Sequence, residues 1–388
     1  PESNTEVAAA LKSGKQIASY PEVVAALSAE KEAVVVAGSY GKSTSTALLA
    51  HCLEQAGVDP SYFIGAVPMT PSRSAHVGTS NLFVLEGDEY PSSNTDPRSK
   101  FLHYHPKHLL ITPVAHDHFN VFPTPESYVK PFVDLVGLAT GTTIICTEGS
   151  LSSQLLSAVP QAVTYGLVQG TYHAAHMVWG EWTTFDIVRN DKGVINVRSS
   201  LLGAHNVQNV GGVAALVLES GLLSPEQFAT GVASFKGIKR RLDRKSEKTS
   251  VPIYEGFGSS YEKLKSAIAA MKLHFPTRRL IVVFEPHTFS WRNRESLSWY
   301  DTVFEGADKV YIFEPPQDGK ELQLSLIEMV ERVSKTEIET QGASDSRDIL
   351  AALGQKLQHN DAVLLSTSGD LGGLIEAIPR LAEEKFPA

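Results

Sequence analysis

The stretch VVVAGSYGKST, residues 34–44, has residue types and spacing suited to gripping phosphate. An apolar run that reads as a buried strand leads into Gly38 and Gly41, and then into Lys42 and Ser43 at the head of an amphipathic helical pattern. Glycines let backbone N–H groups turn inward around an anion, a helix N-terminus adds positive potential, and a lysine supplies a mobile cation for the outer phosphates. The predicted phosphate loop is therefore Gly38, Ser39, Gly41, Lys42, Ser43 and Thr44, with the Ser43 hydroxyl on Mg²⁺. Val36 stands where the commoner spacing has its first glycine, so the loop reads as a shortened variant. As an exposed loop residue, Lys42 is expected to be removable at little cost in stability.

Three further groups bear on chemistry. Glu86-Gly87-Asp88-Glu89-Tyr90 directly follows an apolar strand, and carboxylates at the carboxyl end of a parallel strand suit a hard cation; Glu86 is the metal candidate. His116-Asp117-His118 follows another strand; its i, i+2 histidines do not match zinc spacing, and His118 is expected to reach a hard cation or to serve the turn structurally. Asn206 and Asn209 lie one helical turn apart, and their amides offer donor and acceptor together, as an adenine edge requires. N-capping is the alternative for Asn206. Arg240 and Arg241 are candidates to meet a nucleotide phosphate, or to form a solvated basic face.

These residues need elements to hold them. Strand patterns fall at 33–37, 82–86, 108–112, 143–146 and 163–165, and helix patterns at 43–55, 125–138 and 151–158. Short alternating runs over 171–198, with a turn at Asn190 to Gly193, read as an antiparallel meander, after which a helix is expected over 205–219. A second series places strands from Ile253 and at 280–284, 309–313 and 362–365, with helices at 261–274, 321–333, 344–357 and 374–384. The fold class is α/β: a P-loop central ATPase domain with a mostly parallel sheet and a small meander, then a Rossmann-like doubly wound domain. The domain limits are a leading segment 1–30, a central domain 31–240 and a C-terminal domain 241–388, with the charged run 236–250 as hinge.

Composition narrows the classes. A chain of 388 residues calls for two cores, and 42% hydrophobic with 20% charged residues describes an ordinary globular protein. The net charge of −9 argues against general nucleic-acid binding. Cys52 and Cys146 are too few and too distant for a disulfide framework; Cys52 is expected in the core, and the compartment is expected to be the cytoplasm. No apolar run reaches membrane-spanning length. The expected partners are small molecules, with no nucleic acid and no membrane, and the expected state is a monomer or weak oligomer.

Taken in order, AGSYGKST, LEGDEY, DPRSKFLHY, HDHFNVF, LLGAHNVQN, FKGIKRRL, VFEPHT and STSGDLGG resemble the Mur ligase superfamily over nearly the whole chain, with DPRSKFLHY pointing to its murein peptide ligase branch rather than its alanine-adding branch. The resemblance implies that ATP phosphorylates a carboxylate of a UDP-N-acetylmuramate-type nucleotide sugar, and that a peptide or amino-acid amine then displaces phosphate to form an amide. It assigns Lys42 to the outer phosphates, Ser43 and Glu86 to Mg²⁺, and His118 to a second Mg²⁺. Asn206 and Asn209 fall on the adenine side, and one of Arg240 and Arg241 on phosphate in a closed state. A UDP-N-acetylmuramate–alanine ligase, or a homologue that binds ATP without ligating, are the alternatives. The family begins with a UDP-sugar-binding domain, whereas about thirty residues precede the loop here, so that domain is expected to be lacking. The usual aspartate of the C-terminal domain falls on Gly256, with Glu255 expected to face away. The asparagine and glutamate that usually precede the Asp-His pair are replaced in Thr112-Pro113-Val114-Ala115-His116.

Overall fold

The computed structural model describes residues 4–118, 120–314 and 323–388. They group into two compact units. The first holds the described residues up to Val178 together with Thr184–Ser199 and Ala204–Phe235; the second holds Trp179–Thr183, Ser200–Gly203 and Lys236–Ala388.

In the first unit the elements run α1 (Thr5–Lys12), α2 (Tyr20–Ser28), β1 (Glu32–Ala37), α3 (Lys42–Gln55), β2 (Ser61–Phe63), β3 (Ala75–His76) and β4 (Leu82–Glu86). They continue with β5 (His108–Ile111), α4 (Pro125–Leu138), β6 (Thr143–Cys146), α5 (Ser152–Ala158), β7 (Val163–Tyr165), β8 (Tyr172–Val178), β9 (Thr183–Arg189), β10 (Lys192–Ser199), α6 (Ala204–Glu219) and α7 (Pro225–Ser234). One sheet takes the order β10-β9-β8-β7-β6-β5-β1-β4-β2-β3. It is parallel from β2 to β8, whereas β3 runs antiparallel to β2 and β9 antiparallel to β8. The meander thus extends the central sheet. Its turn carries Asn190 and Asp191 at φ 48° and 62°, the left-handed pair that a tight hairpin demands.

Strand β1 is buried on both faces because helices cover both sides. Ala33, Val35 and Ala37 pack with Val24, Tyr128, Phe132 and Leu155 from α2, α4 and α5, while the alternate side chains Val34 and Val36 face the α3 side. Helix α3 is not amphipathic as its pattern suggested. It is buried without interruption from Ser43 to Leu53, since α6 and α7 cover what the sheet does not. Gly231 lets α7 approach Cys52, where an added Cβ would stand 2.6 Å from the sulfur; both cysteines are free and buried.

The second unit runs β11 (Arg241–Arg244), β12 (Ile253–Phe257), α8 (Tyr261–His274), β13 (Arg279–Phe284), α9 (Phe289–Arg292), β14 (Lys309–Phe313), α10 (Leu326–Ser334), β15 (Glu339–Ala343), α11 (Ser346–Lys356), β16 (Asp361–Thr367) and α12 (Leu374–Lys385). Its sheet order is β11-β12-β16-β13-β14-β15, parallel except for β11. Along β13, Leu280, Val282 and Phe284 pack with α8 and α10, and Ile281 and Val283 with α11 and α12, so both faces are covered. The run 236–250, expected as a hinge, begins where the second unit resumes at Lys236 and supplies β11, an edge strand paired with β12. The start of the helix expected over 321–333 lies outside the described residues, and α10 begins at Leu326. The short strands β2 and β15 and helix α7 had no clear pattern; α7 is set by Ser224, whose hydroxyl accepts from Gln227 N while the Gln227 side chain returns to Ser224 N. Among the described residues no helix is long and apolar enough to cross a membrane.

Candidate active site

The turn between β1 and α3 sits at the carboxyl end of the parallel strands. Gly38 has φ 135° and Gly41 φ 85°, the region that favours glycine. Space forbids a side chain as well: a Cβ at Gly38 would lie 2.1 Å from Thr112 Oγ1, and one at Gly41 2.3 Å from Asn209 Oδ1. The residues 112–115 that depart from the family pattern form the opposite wall of this turn. Ser39 N donates to Pro113 O at 2.9 Å, and Ser39 Oγ receives Ala115 N at 2.9 Å. The first turn of α3 carries no acidic residue, so its free N–H groups and dipole remain available to an anion.

Around this turn the structure gathers Lys42, Ser43, Glu86, His118 and Asn209. Ser43 Oγ donates to Glu86 Oε1 at 2.8 Å, and Gly65 N donates to Glu86 Oε2 at 2.6 Å. Lys42 is not the exposed loop residue expected from the sequence. Its ammonium donates to Gly38 O at 2.5 Å and to Glu89 Oε2 at 2.6 Å, with 15% of the side chain exposed against 2% for Glu89. His118 stands with Glu89, Nε2 to Oε1 at 3.4 Å, rather than with Ser43 and Glu86. Its φ of 55° is unusual for a residue with a Cβ, and the turn is held by Val121 N and Phe122 N donating to His118 O at 2.8 and 2.9 Å. The Tyr90 ring meets the His118 ring edge-on with centroids 5.0 Å apart. Asn206 and Asn209 are buried on α6, joined by Asn209 Nδ2 donating to Asn206 Oδ1 at 3.1 Å.

Glu89 is the residue that sequence reasoning passed over. It belongs to the quoted run LEGDEY, three residues past Glu86, but nothing in a loop sequence says which carboxylate turns inward. A second omission is Tyr128 on α4, whose hydroxyl lies 2.7 Å from Ser39 Oγ and 3.2 Å from Glu89 Oε1. Burial, and then the charge of Glu89, push this phenol up, so it stays protonated. Asp88 lies toward the rim. Burial opposes its charge, yet the Lys100 ammonium at 2.6 Å and the Tyr90 N–H keep its carboxyl below the usual value.

The residues present suit Mg²⁺ with a nucleotide. Among the described residues no three of His, Cys, Asp and Glu converge as a self-sufficient metal cage. Magnesium characteristically takes one or two protein oxygens and completes its shell with phosphate and water, and the Ser43–Glu86 pair at a helix N-terminus offers that donor set. An open groove of about 760 Å³ beside α2, lined in part by Glu22, Arg98 and Tyr104, contains none of these residues.

Arg240 and Arg241 belong to the second unit. Arg240 Nε meets Glu255 Oε1 at 3.1 Å, its Nη2 donates to Gly369 O at 2.6 Å, and its guanidinium lies 5.3 Å from the Phe257 ring centre. Arg241 is exposed on β11. Glu255 also accepts from Lys245 at 2.7 Å. A Cβ at Gly256 would instead face Leu364, Ala267 and Leu242, so the two positions point to opposite faces and Glu255 does not stand in for an aspartate there. Beyond β13 and β16, Glu285 accepts from Thr367 Oγ1 and from Leu371 N, and lies 3.4 Å from His287 Nδ1.

Comparison with known proteins gives these sites a context. The sequence profile of the Mur ligase middle domain matches residues 36–217. The UDP-N-acetylmuramate–L-alanine ligase of Paenarthrobacter aurescens is 31% identical over 316 residues, 80% of this chain and 67% of that protein. The enzyme of the same name from Desulfitobacterium hafniense is 27% identical over 376 residues, 95% of this chain and 82% of that protein. Among solved structures, the UDP-N-acetylmuramate–alanine ligase of Thermotoga maritima superposes with a TM-score of 0.75 at 20% identity, covering 94% of this chain and 78% of that one. A murein peptide ligase from Psychrobacter arcticus gives a TM-score of 0.58 at 22% identity, covering 100% of this chain and 85% of that one.

Proposed function

Because this chain belongs to the Mur ligase superfamily, we propose that it is an ATP-dependent ligase that activates the carboxylate of UDP-N-acetylmuramate and joins it to the amine of L-alanine. The observation that carries the reading is the cluster at the head of α3, where Lys42, Ser43, Glu86, Glu89 and His118 surround a glycine turn and a helix N-terminus whose first turn carries no acidic residue of its own. That cluster can hold two anions side by side, which is the physical difficulty of phosphorylating a carboxylate. The named relatives support the muramate and alanine substrates.

In this mechanism a carboxylate oxygen of the sugar substrate attacks the γ-phosphorus and ADP leaves. The amine then attacks the acyl carbon, inorganic phosphate departs, and the ammonium proton passes to solvent. Lys42 neutralises the outer phosphates, and the N–H groups of the 38–44 turn orient them. Asn206 and Asn209 sit on the adenine side. Ser43 and Glu86 would hold Mg²⁺, with His118 beside the carboxylate; the metal supplies Lewis-acid neutralisation of phosphate charge. The reaction belongs to the cytoplasm, where ATP is available.

A second reading is a murein peptide ligase, with a peptide amine in place of alanine. It is favoured by the run DPRSKFLHY, which the fold brings to the same rim through the Lys100–Asp88 pair. Phosphate release from the full chain with ATP, Mg²⁺ and UDP-N-acetylmuramate, stimulated in parallel by L-alanine and by L-alanyl-γ-D-glutamyl-diaminopimelate, separates the two. Stimulation by L-alanine is the expected result, and stimulation by the tripeptide alone transfers the assignment to the second reading. Folded protein that binds ATP yet responds to neither amine would overturn both.

A further inference from the structure

Tyr128 is fully buried on α4 and has no part in the mechanism above. Its ring is wedged among Phe122, Phe132 and His116, with centroids 5.2, 5.5 and 5.8 Å away, which fixes where its hydroxyl points. That hydroxyl touches both halves of the phosphate site: Ser39 Oγ in the turn at 2.7 Å, and Glu89 Oε1 at 3.2 Å.

The protons around it do not suffice for every acceptor. Ser39 Oγ already receives Ala115 N and lies 2.8 Å from Ala115 O. Two hydroxyls bring two protons to the Ala115 carbonyl, the Glu89 carboxylate and the short oxygen–oxygen contact between them. If Tyr128 donates to Ser39, then Ser39 donates to Ala115 and Glu89 receives nothing from the phenol. If Tyr128 donates to Glu89, then Ser39 turns to the phenol oxygen and releases Ala115 O. The pair therefore has two proton arrangements, and the electrostatic demand of Glu89 selects between them.

That demand depends on Lys42, whose ammonium lies on Glu89 in this structure. A phosphate in the turn draws the same ammonium toward itself, and a buried carboxylate stripped of its cation is strongly disfavoured. We propose that Tyr128 is a positioning residue that swings its proton to Glu89 as Lys42 turns to the nucleotide phosphates, so that the lysine can be shared without leaving the carboxylate bare. The inference rests on the reading of Lys42 as the phosphate cation.

The test is calorimetric binding of ATP and of AMP, each with Mg²⁺, to the full chain and to Tyr128→Phe, which removes one oxygen and keeps the buried ring. Loss of a hydrogen bond to a charged group is expected to weaken ATP about tenfold while leaving AMP, which lacks the outer phosphates, unchanged. In a Glu89→Gln background the same change should have no effect on ATP. Equal ATP affinity for Tyr128→Phe and the parent, or an equal loss in the Glu89→Gln background, overturns the proposal. Should Tyr128→Phe fail to fold, Ser39→Ala serves in its place with the opposite sign: it leaves Glu89 as the sole acceptor of the phenol proton, so the ATP-to-AMP affinity ratio should shift in favour of ATP, and a shift against ATP overturns the proposal. A folded parent that binds no ATP removes the Lys42 reading itself, and this inference with it.

Discussion

Glu89 shows how one inward-turned side chain changes the meaning of another. A lysine in a glycine-rich turn invites the view that it is solvated and dispensable, but Lys42 is the cation of a carboxylate only 2% exposed. Among the described residues, deleting it leaves Glu89 with Tyr128 and His118 alone. Lys42→Ala should therefore abolish phosphate release and also lower unfolding free energy by about 2 kcal/mol, below the range for a fully buried pair because the lysine is partly exposed. Denaturant unfolding checks this, and an unchanged midpoint would show that the pair contributes nothing to folding. The double variant Lys42→Ala with Glu89→Gln should recover most of the lost stability without recovering turnover, because it removes the bare charge but not the need for a cation on phosphate.

At the scale of elements, the structure ties pieces together through a buried histidine. His274, in the last turn of α8, donates from Nδ1 to Gly180 O at 2.6 Å and accepts Gly203 N on Nε2 at 2.8 Å. It thereby fastens the segments Trp179–Thr183 and Ser200–Gly203 into the second unit. The Nε2 contact requires a neutral ring. Burial lowers the pKa of His274 from its ordinary 6.5, and it lowers those of His51 and His108 too. A base whose folded pKa lies below its unfolded one contributes stability that is complete above the unfolded pKa and lost as pH falls through it. Stability should accordingly be flat between about pH 7 and 8 and decline as pH falls below 6.5. His274→Leu should cost about 2 kcal/mol at pH 8, from the unsatisfied Gly203 amide, and should make the decline shallower. Denaturation midpoints at pH 8.0 and 5.5 test both statements, and parallel pH slopes for the two proteins would remove His274 from the account.

For the whole molecule, the two units are not two consecutive stretches of chain. Leu202 belongs by sequence to the connection between β10 and α6, yet it is 1% exposed within the core formed by α8, α10 and β13. A fragment comprising 236–388 lacks Leu202, Gly180 and Gly203, and so lacks part of its own core and both partners of His274. It should melt several degrees below the corresponding transition of the full chain, since about 2–3 kcal/mol of burial and hydrogen bonding is missing. Calorimetry of the two proteins decides this; equal transitions would mean that 179–183 and 200–203 add nothing to the second unit.

Among the described residues, much of the local order of elements was legible, with β2, β11, β15 and α7 as exceptions, because alternation, glycine turns and helix caps are properties of neighbours along the chain. The run 34–44 announces a strand, a glycine turn and a helix start, and 190–193 a hairpin, without reference to anything distant. The parts that could not be read depend on what the fold places opposite them. Helix α3 looked half-exposed until α6 and α7 covered it, and nothing along 236–250 marked 241–244 as a strand until β12 gave its backbone a partner. The carboxylate at Glu89 and the phenol at Tyr128 are separated by 39 positions and meet only because α4 packs against β1. Sequence determined that a glycine turn from Gly38 leads into a helix N-terminus at Lys42, the geometry on which the proposed anion site rests; tertiary packing decided which charged side chains meet there, because burial makes a pairing obligatory and burial is set by contacts remote in sequence.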